Sequence, residues 1–181
     1  MVSGQPVSHD APHLPSSEGC SAEQIEHLAG EGRLWVILDA CDAPIVLQKA
    51  EELGPGNVCC LFKGRTAELH GEFAPFLARA DGQLLDWVRE TLWAEPWGVF
   101  VVSSADLAEL RDHLRGLLIV EDAEGRQKYF RYYDPRVLET FLPCGNPEQL
   151  EEFYGPVDAY ITAGAWGDED HATSWTFASK E

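Results

Sequence analysis

Three stretches of the chain are apolar at nearly every position: residues 34–40 (LWVILDA), 58–62 (VCCLF) and 97–103 (WGVFVVS). Unbroken apolar runs of this length mark strands covered on both faces, which is the habit of parallel sheets. Between the first two, residues 44–53 follow helical spacing. Asp42 is the candidate cap, Pro44 suits the first helical turn, and Gly54-Pro55-Gly56 ends the element. Strand, helix and strand in about thirty residues predict a βαβ unit with two parallel strands. Residues 83–93 place Leu84, Leu85, Trp87, Val88 and Leu92 on one helical face behind an Asp81 cap. Residues 105–114 place Leu107, Leu110 and Leu114 likewise, behind Ser103 or Ser104. Pro75 argues that residues 73–80 form an edge strand, because proline gives no hydrogen to a ladder.

Elsewhere the punctuation is local. Ser21 and Gln24 have capping-box spacing and open a helix through Leu28 that Gly30 closes. Residues 127–133 (QKYFRYY) alternate Tyr129, Arg131 and Tyr133 with Lys128, Phe130 and Tyr132, the period of a strand. Asp134-Pro135 stops that strand and caps a helix reaching residue 142. With the apolar run at residues 117–122 and the turn after it, this predicts a hairpin feeding a short helix. Residues 147–154 read as an acidic helix, and residues 157–163 and 174–178 as weaker strands around a polar stretch. The expected fold is α/β, with a mixed, largely parallel central sheet flanked by helices and an antiparallel hairpin near residues 117–133. Residues 1–19, rich in Pro, Ser and Gly, read as a disordered leader. Residues 20–163 read as the domain and residues 164–181 as a short acidic, aromatic-containing tail.

Charge changes what such a domain can bind. Of 181 residues, 31 are acidic and 13 are Lys or Arg, for a net charge of −18. Such a surface disfavours nucleic-acid binding and docking on anionic membranes, and it suits basic partners. No apolar run approaches the roughly 18 residues that span a bilayer. The opening residues lack the basic and apolar regions of a secretory signal, so the cytoplasm is the expected location. Five cysteines without CxxC spacing (Cys20, Cys41, Cys59, Cys60 and Cys144) predict reduced thiols rather than a disulfide or zinc framework.

Catalytic motifs are sparse. Asp39 and Asp42 stand at a strand end, where α/β active sites gather, but their spacing is not that of aspartyl-phosphate enzymes. No GxSxG elbow, GxGxxG turn or P-loop occurs, and the six histidines are scattered. The expectation is a protein with no catalytic residues, metal or cofactor. A small hydrolase using Asp39, Asp42 or Asp134 stands as an alternative. Aromatic residues are more telling. Six tryptophans and five tyrosines are present, and Trp166 and Trp175 in the tail are hard to bury, so both are candidate partner contacts.

Several segments, in order, resemble the type VI secretion effector-adaptor family, also called effector chaperones and typically encoded between a VgrG spike gene and a toxin gene. They are LWVILDA, LFKGRTAELHGEFAPFL, EPWGVFVVSS, YFRYYDPRVLETFLP and FYGPVDAY. The resemblance spans residues 33–160 and is sharpest in EPWGVFVVSS and YFRYYDPRVLETFLP. It implies a non-enzymatic adaptor that binds a toxin effector in the cytoplasm and helps it dock on VgrG. It also implies functional contacts near Tyr129, Arg131, Tyr133, Asp134 and Arg136. Many members look longer, with a helical second lobe where this chain has its tail. An immunity-type protein masking a toxin remains a further alternative.

Overall fold

The computed structural model describes residues 16–93, 95–163 and 172–176. Seven strands make one sheet: β1 (Ser16–Cys20), β2 (Leu34–Asp39), β3 (Val58–Cys60), β4 (Pro75–Arg79), β5 (Gly98–Val102), β8 (Ala159–Ala163) and β9 (Ala172–Thr176). Their spatial order is β1-β9-β8-β5-β2-β4-β3, and every pairing of neighbours is antiparallel. The expected largely parallel sheet is therefore wrong. The βαβ reading fails in an informative way. β2 and β3 do point the same way, being both antiparallel to β4, but β4 lies between them. β4 and β5 likewise share a direction and flank β2. The β2–β5 segment is thus a split βαβ pair, in the ferredoxin-like order β5-β2-β4-β3. β8, β9 and β1 extend it on the β5 side.

Both faces of this antiparallel sheet are covered, which is why its strands carry no polar alternation. Leu34, Val36 and Leu38 of β2 face one core with Phe100, Val102, Ala78 and Ile161. The helices α1 (Ala22–Gly30), α2 (Pro44–Leu53) and α4 (Gly82–Thr91) close that core through Ile25, Val46, Leu84, Leu85 and Val88. Trp35 and Ile37 face the opposite core with Leu77, Val99, Val101 and Tyr160. There α5 (Leu107–Gly116), α6 (Pro135–Phe141) and α7 (Pro147–Tyr154) supply Leu110, Leu114, Leu138, Leu150 and Phe153. Pro75 is tolerated in a central strand because it occupies the first position of β4. The remaining helix, α3 (Gly64–His70), buries no side chain and links β3 to β4.

Local capping chemistry decides the helix starts. The Ser21–Gln24 capping box is made in both directions, at 3.2 and 2.8 Å. A second box joins Asn146 to Gln149 at the start of α7. Two other expected caps move. Asp42 takes a positive φ of 58° and leaves Ala43 as an uncapped α2 start. Asp106, not Ser103 or Ser104, caps α5; the Ser103 hydroxyl donates to the Pro156 carbonyl and accepts from the Ala105 amide.

The hairpin forms apart from the main sheet as β6 (Ile119–Glu121) paired with β7 (Gln127–Tyr129). It is shorter than expected. The strand ends at Tyr129, and Phe130 to Tyr133 turn inward, so that Tyr132 and Tyr133 are both buried instead of alternating. Strand β1 takes up the last residues of the stretch read as a leader, and β9 falls within the stretch read as a tail.

Candidate functional site

Where β2 leaves the sheet, its last residue puts a carboxylate under the β2–α2 loop. Asp39 is buried, with its side chain 6% exposed. One oxygen accepts the Cys41 amide at 3.0 Å, and the other accepts Arg131 Nη2 at 2.6 Å. Burial pushes this carboxyl up, and the Cys41 amide and Arg131 oppose that push. The next turn carries Asp42 in its left-handed conformation, a strained position tolerated better by Asp than by most residues.

Arg131 reaches Asp39 from the segment between β7 and α6. Its guanidinium carbon lies 5.9 Å from the Tyr133 ring centre, and its side chain is 40% exposed. The Nε atom is buried with no hydrogen-bond partner among the described residues. Asp134, with a 5% exposed side chain, both caps α6 through the Arg136 amide and holds the Arg136 guanidinium with both oxygens, at 2.9 and 2.6 Å. Tyr129 shares a 3.0 Å hydroxyl–hydroxyl hydrogen bond with Tyr133 and meets Phe62 edge-on. Burial, the first cause, together with the Asp39 charge pushes Tyr133 up to about 12, so the hydroxyl stays protonated at neutral pH.

The five adjacent residues read from the sequence thus form one structure, divided by exposure. Tyr129, Arg131 and Arg136 face solvent; Tyr133 and Asp134 lie beneath them. The residue that sequence spacing does not connect to this cluster is Asp39: the fold brings it to Arg131 from 92 residues away. Trp166 lies outside the described residues. Trp175 stands in β9, at the register position of Tyr160 and Ser17.

The two arginines border a cleft of about 570 Å³ at this end of the sheet, lined also by Asp39, Cys41, Asp42, Ile45, Glu95 and Trp97. Burial, with the neighbouring Asp39 and Asp42 carboxylates, pushes the Cys41 thiol up, which keeps it protonated and a poor nucleophile. Among the described residues no cluster of His, Cys, Asp and Glu is arranged to hold a metal ion, and no helix is long and apolar enough to cross a membrane. Chemically, the arrangement offers fixed guanidinium edges and an aromatic face to an incoming group.

Residues 34–152 match the family described as domain of unknown function, DUF4123. The chain belongs to that family. The DUF4123 match runs from the first residue of β2 into α7, and so takes in the split βαβ sheet, the β6–β7 ribbon and the whole Asp39–Arg131–Arg136 cluster. Strands β1, β8 and β9 lie outside it. Searches of curated proteins and of solved structures gave no match.

Asp134 gives this cluster a measurable acid dependence. Burial raises its carboxyl, but the side-chain and amide hydrogen bonds from Arg136 outweigh burial and hold it below the ordinary range. A depressed carboxyl stabilises the fold above its unfolded pKa, and that stabilisation fades as pH falls through the folded one. Asp134→Ala is expected to cost about 1–2 kcal/mol near neutral pH as a lost cap. The gap from the parent protein should narrow below about pH 4, near the unfolded Asp value. Urea titrations across that range test it; a gap that widens on acidification contradicts the assignment.

Proposed function

We propose that this protein is a non-enzymatic adaptor that binds a type VI secretion toxin effector in the cytoplasm and helps load it onto the VgrG spike. Family membership supports the reading, together with the resemblance of the YFRYYDPRVLETFLP segment to effector adaptors. The observation that carries it is the seating of two exposed arginines on buried carboxylates, Asp39 and Asp134. An arginine locked in this way loses little side-chain entropy on binding, and its fork keeps donors for a partner's carboxylates or carbonyls. Tyr129 beside it adds a rigid aromatic surface, and Tyr and Arg are the residues that dominate interface energetics.

The hydrolase alternative has weaker support. Both Asp39 oxygens are engaged, by Cys41 and Arg131, and Asp134 is committed to α6 and Arg136. Those bonds favour an anchoring role for Asp39 and Asp134 over attack on a substrate.

The test is co-expression of the tagged protein with a toxin and a VgrG encoded beside it, read by affinity capture and mass spectrometry. The parent protein should retain the toxin. Tyr129→Ala combined with Arg131→Ala should weaken capture by about 2 kcal/mol or more, roughly 30-fold, while melting as a folded protein. Equal capture by parent and variant would remove this surface from the binding site, and capture of neither protein would sink the adaptor reading.

A further inference from the structure

The β6–β7 ribbon presents a second surface that the Asp39–Arg131–Arg136 cluster does not use. Of the six large apolar side chains exposed among the described residues, three lie on it: Ile119, Val120 and Tyr129. Tyr129 is tied to Phe62 and Tyr133, but Ile119 and Val120 border a groove of about 300 Å³ between the ribbon and the α6–α7 layer. Leu117, Phe130, Phe141 and Phe153 line it. Phe130, Phe141 and Phe153 pack on one another at centroid distances of 4.9–6.1 Å, which makes the lining rigid.

The rim is acidic. Glu121 and Glu152 border the groove, and neither is ion-paired among the described residues. The nearby cations are already engaged: Arg126 binds Asp122 and Glu124, and Lys128 lies 3.8 Å from Asp122. An apolar trough edged by free carboxylates selects its occupant by charge. A second copy of this chain would bring another −18 surface against those carboxylates.

We infer that this groove receives an amphipathic helix of a partner protein, with an apolar stripe flanked by lysine or arginine. The walls are side chains from a ribbon and from helices, so recognition runs through i, i+3, i+4 and i+7 anchors rather than through an added strand. Each three-residue strand of the ribbon offers too short an edge for much main-chain pairing. The inference goes beyond the adaptor reading and holds whichever protein carries the helix.

The probe is a short fluorescent peptide of leucine and lysine at helical spacing, compared with its leucine–glutamate counterpart by anisotropy at physiological salt. The lysine peptide should bind and the glutamate peptide should not. Ile119→Asp with Val120→Asp should weaken binding about tenfold or more, and Glu121→Gln with Glu152→Gln several-fold. Glu51→Gln with Glu52→Gln, on α2, should leave it unchanged. Equal loss in the α2 variant, or binding untouched by the ribbon variant, would reduce the effect to bulk charge and overturn the inference. Sedimentation of the protein alone as a dimer that Val120→Asp dissociates would assign the groove to a second copy and overturn it too.

Discussion

Replacing Gly98 by alanine is expected to destabilise the fold by about 3 kcal/mol or more, for steric and conformational reasons together. Gly98 opens β5 opposite Leu38 and has a φ of 145°, a region that side-chain-bearing residues rarely enter. A Cβ there would lie 1.8 Å from the Ile37 carbonyl oxygen and 2.9 Å from its carbon. Those are backbone atoms of β2, the strand buried on both faces, so no flexible side chain can rotate away. Relief requires β2 and β5 to separate, which disturbs both cores at once. Trp97, just before it, accepts the Asp39 amide at 2.8 Å, so the same shift reaches the arginine anchor. The fall in melting temperature should be roughly 6–12 °C for a domain of this size. Gly54→Ala is the control: its φ of 72° is also positive, but nothing lies within 4 Å of an added Cβ. That variant isolates conformational strain, of about 1–3 kcal/mol for a side chain at φ 72° and ψ 168°. Equal losses in the two variants would mean that the close approach of β5 to β2 does not carry the effect.

This strand pair also shows where the sequence stops being readable. The apolar runs at residues 34–40 and 97–103 say that both faces are covered, and they are: α1, α2 and α4 on one side, α5, α6 and α7 on the other. The step from covered to parallel fails because burial on both faces erases alternation whatever the strand direction. Nothing in the run at 58–62 tells that its strand skips β2 and pairs with β4. Helix starts fare better where the cap is a contact within four residues, as at Ser21, Asp81 and Asp134. They fail where a distant group competes. Ser103 is taken by Pro156, 53 residues away, so Asp106 caps α5. The site divides in the same way. Tyr129, Arg131, Tyr133, Asp134 and Arg136 stand together in sequence and can be read as a cluster. The Asp39 partner of Arg131 lies 92 residues away, and only the fold brings it there.

Tyr132→Ala is expected to cost about 3–5 kcal/mol, the range for deleting a large buried aromatic. Tyr132 is fully buried and touches Phe130, Tyr133 and Phe153 at ring-centre distances of 5.8–6.0 Å. Period-two reading would have put it on the face opposite Tyr133; instead both are drawn into the core beneath the sheet. Its hydroxyl donates to the Leu114 carbonyl at 2.9 Å, near the end of α5, so one side chain ties the arginine segment to a helix of the core. Tyr132→Phe keeps the ring and removes that bond, for about 1 kcal/mol. The difference between the two variants is then the packing contribution, the larger share. Marginal stabilities of about 5–15 kcal/mol leave room for Tyr132→Ala to be folded in part at best, so Tyr132→Phe is the variant in which binding can be read. Because Arg131 and Tyr133 flank Tyr132 in the chain, loosening it should weaken partner capture with Arg131 and Asp39 unchanged. Denaturant midpoints for both variants, beside affinity capture by Tyr132→Phe, measure this. If Tyr132→Ala proved as stable as Tyr132→Phe, ring packing would not hold the segment, and the arginine surface would owe its shape to the Asp39 ion pair alone.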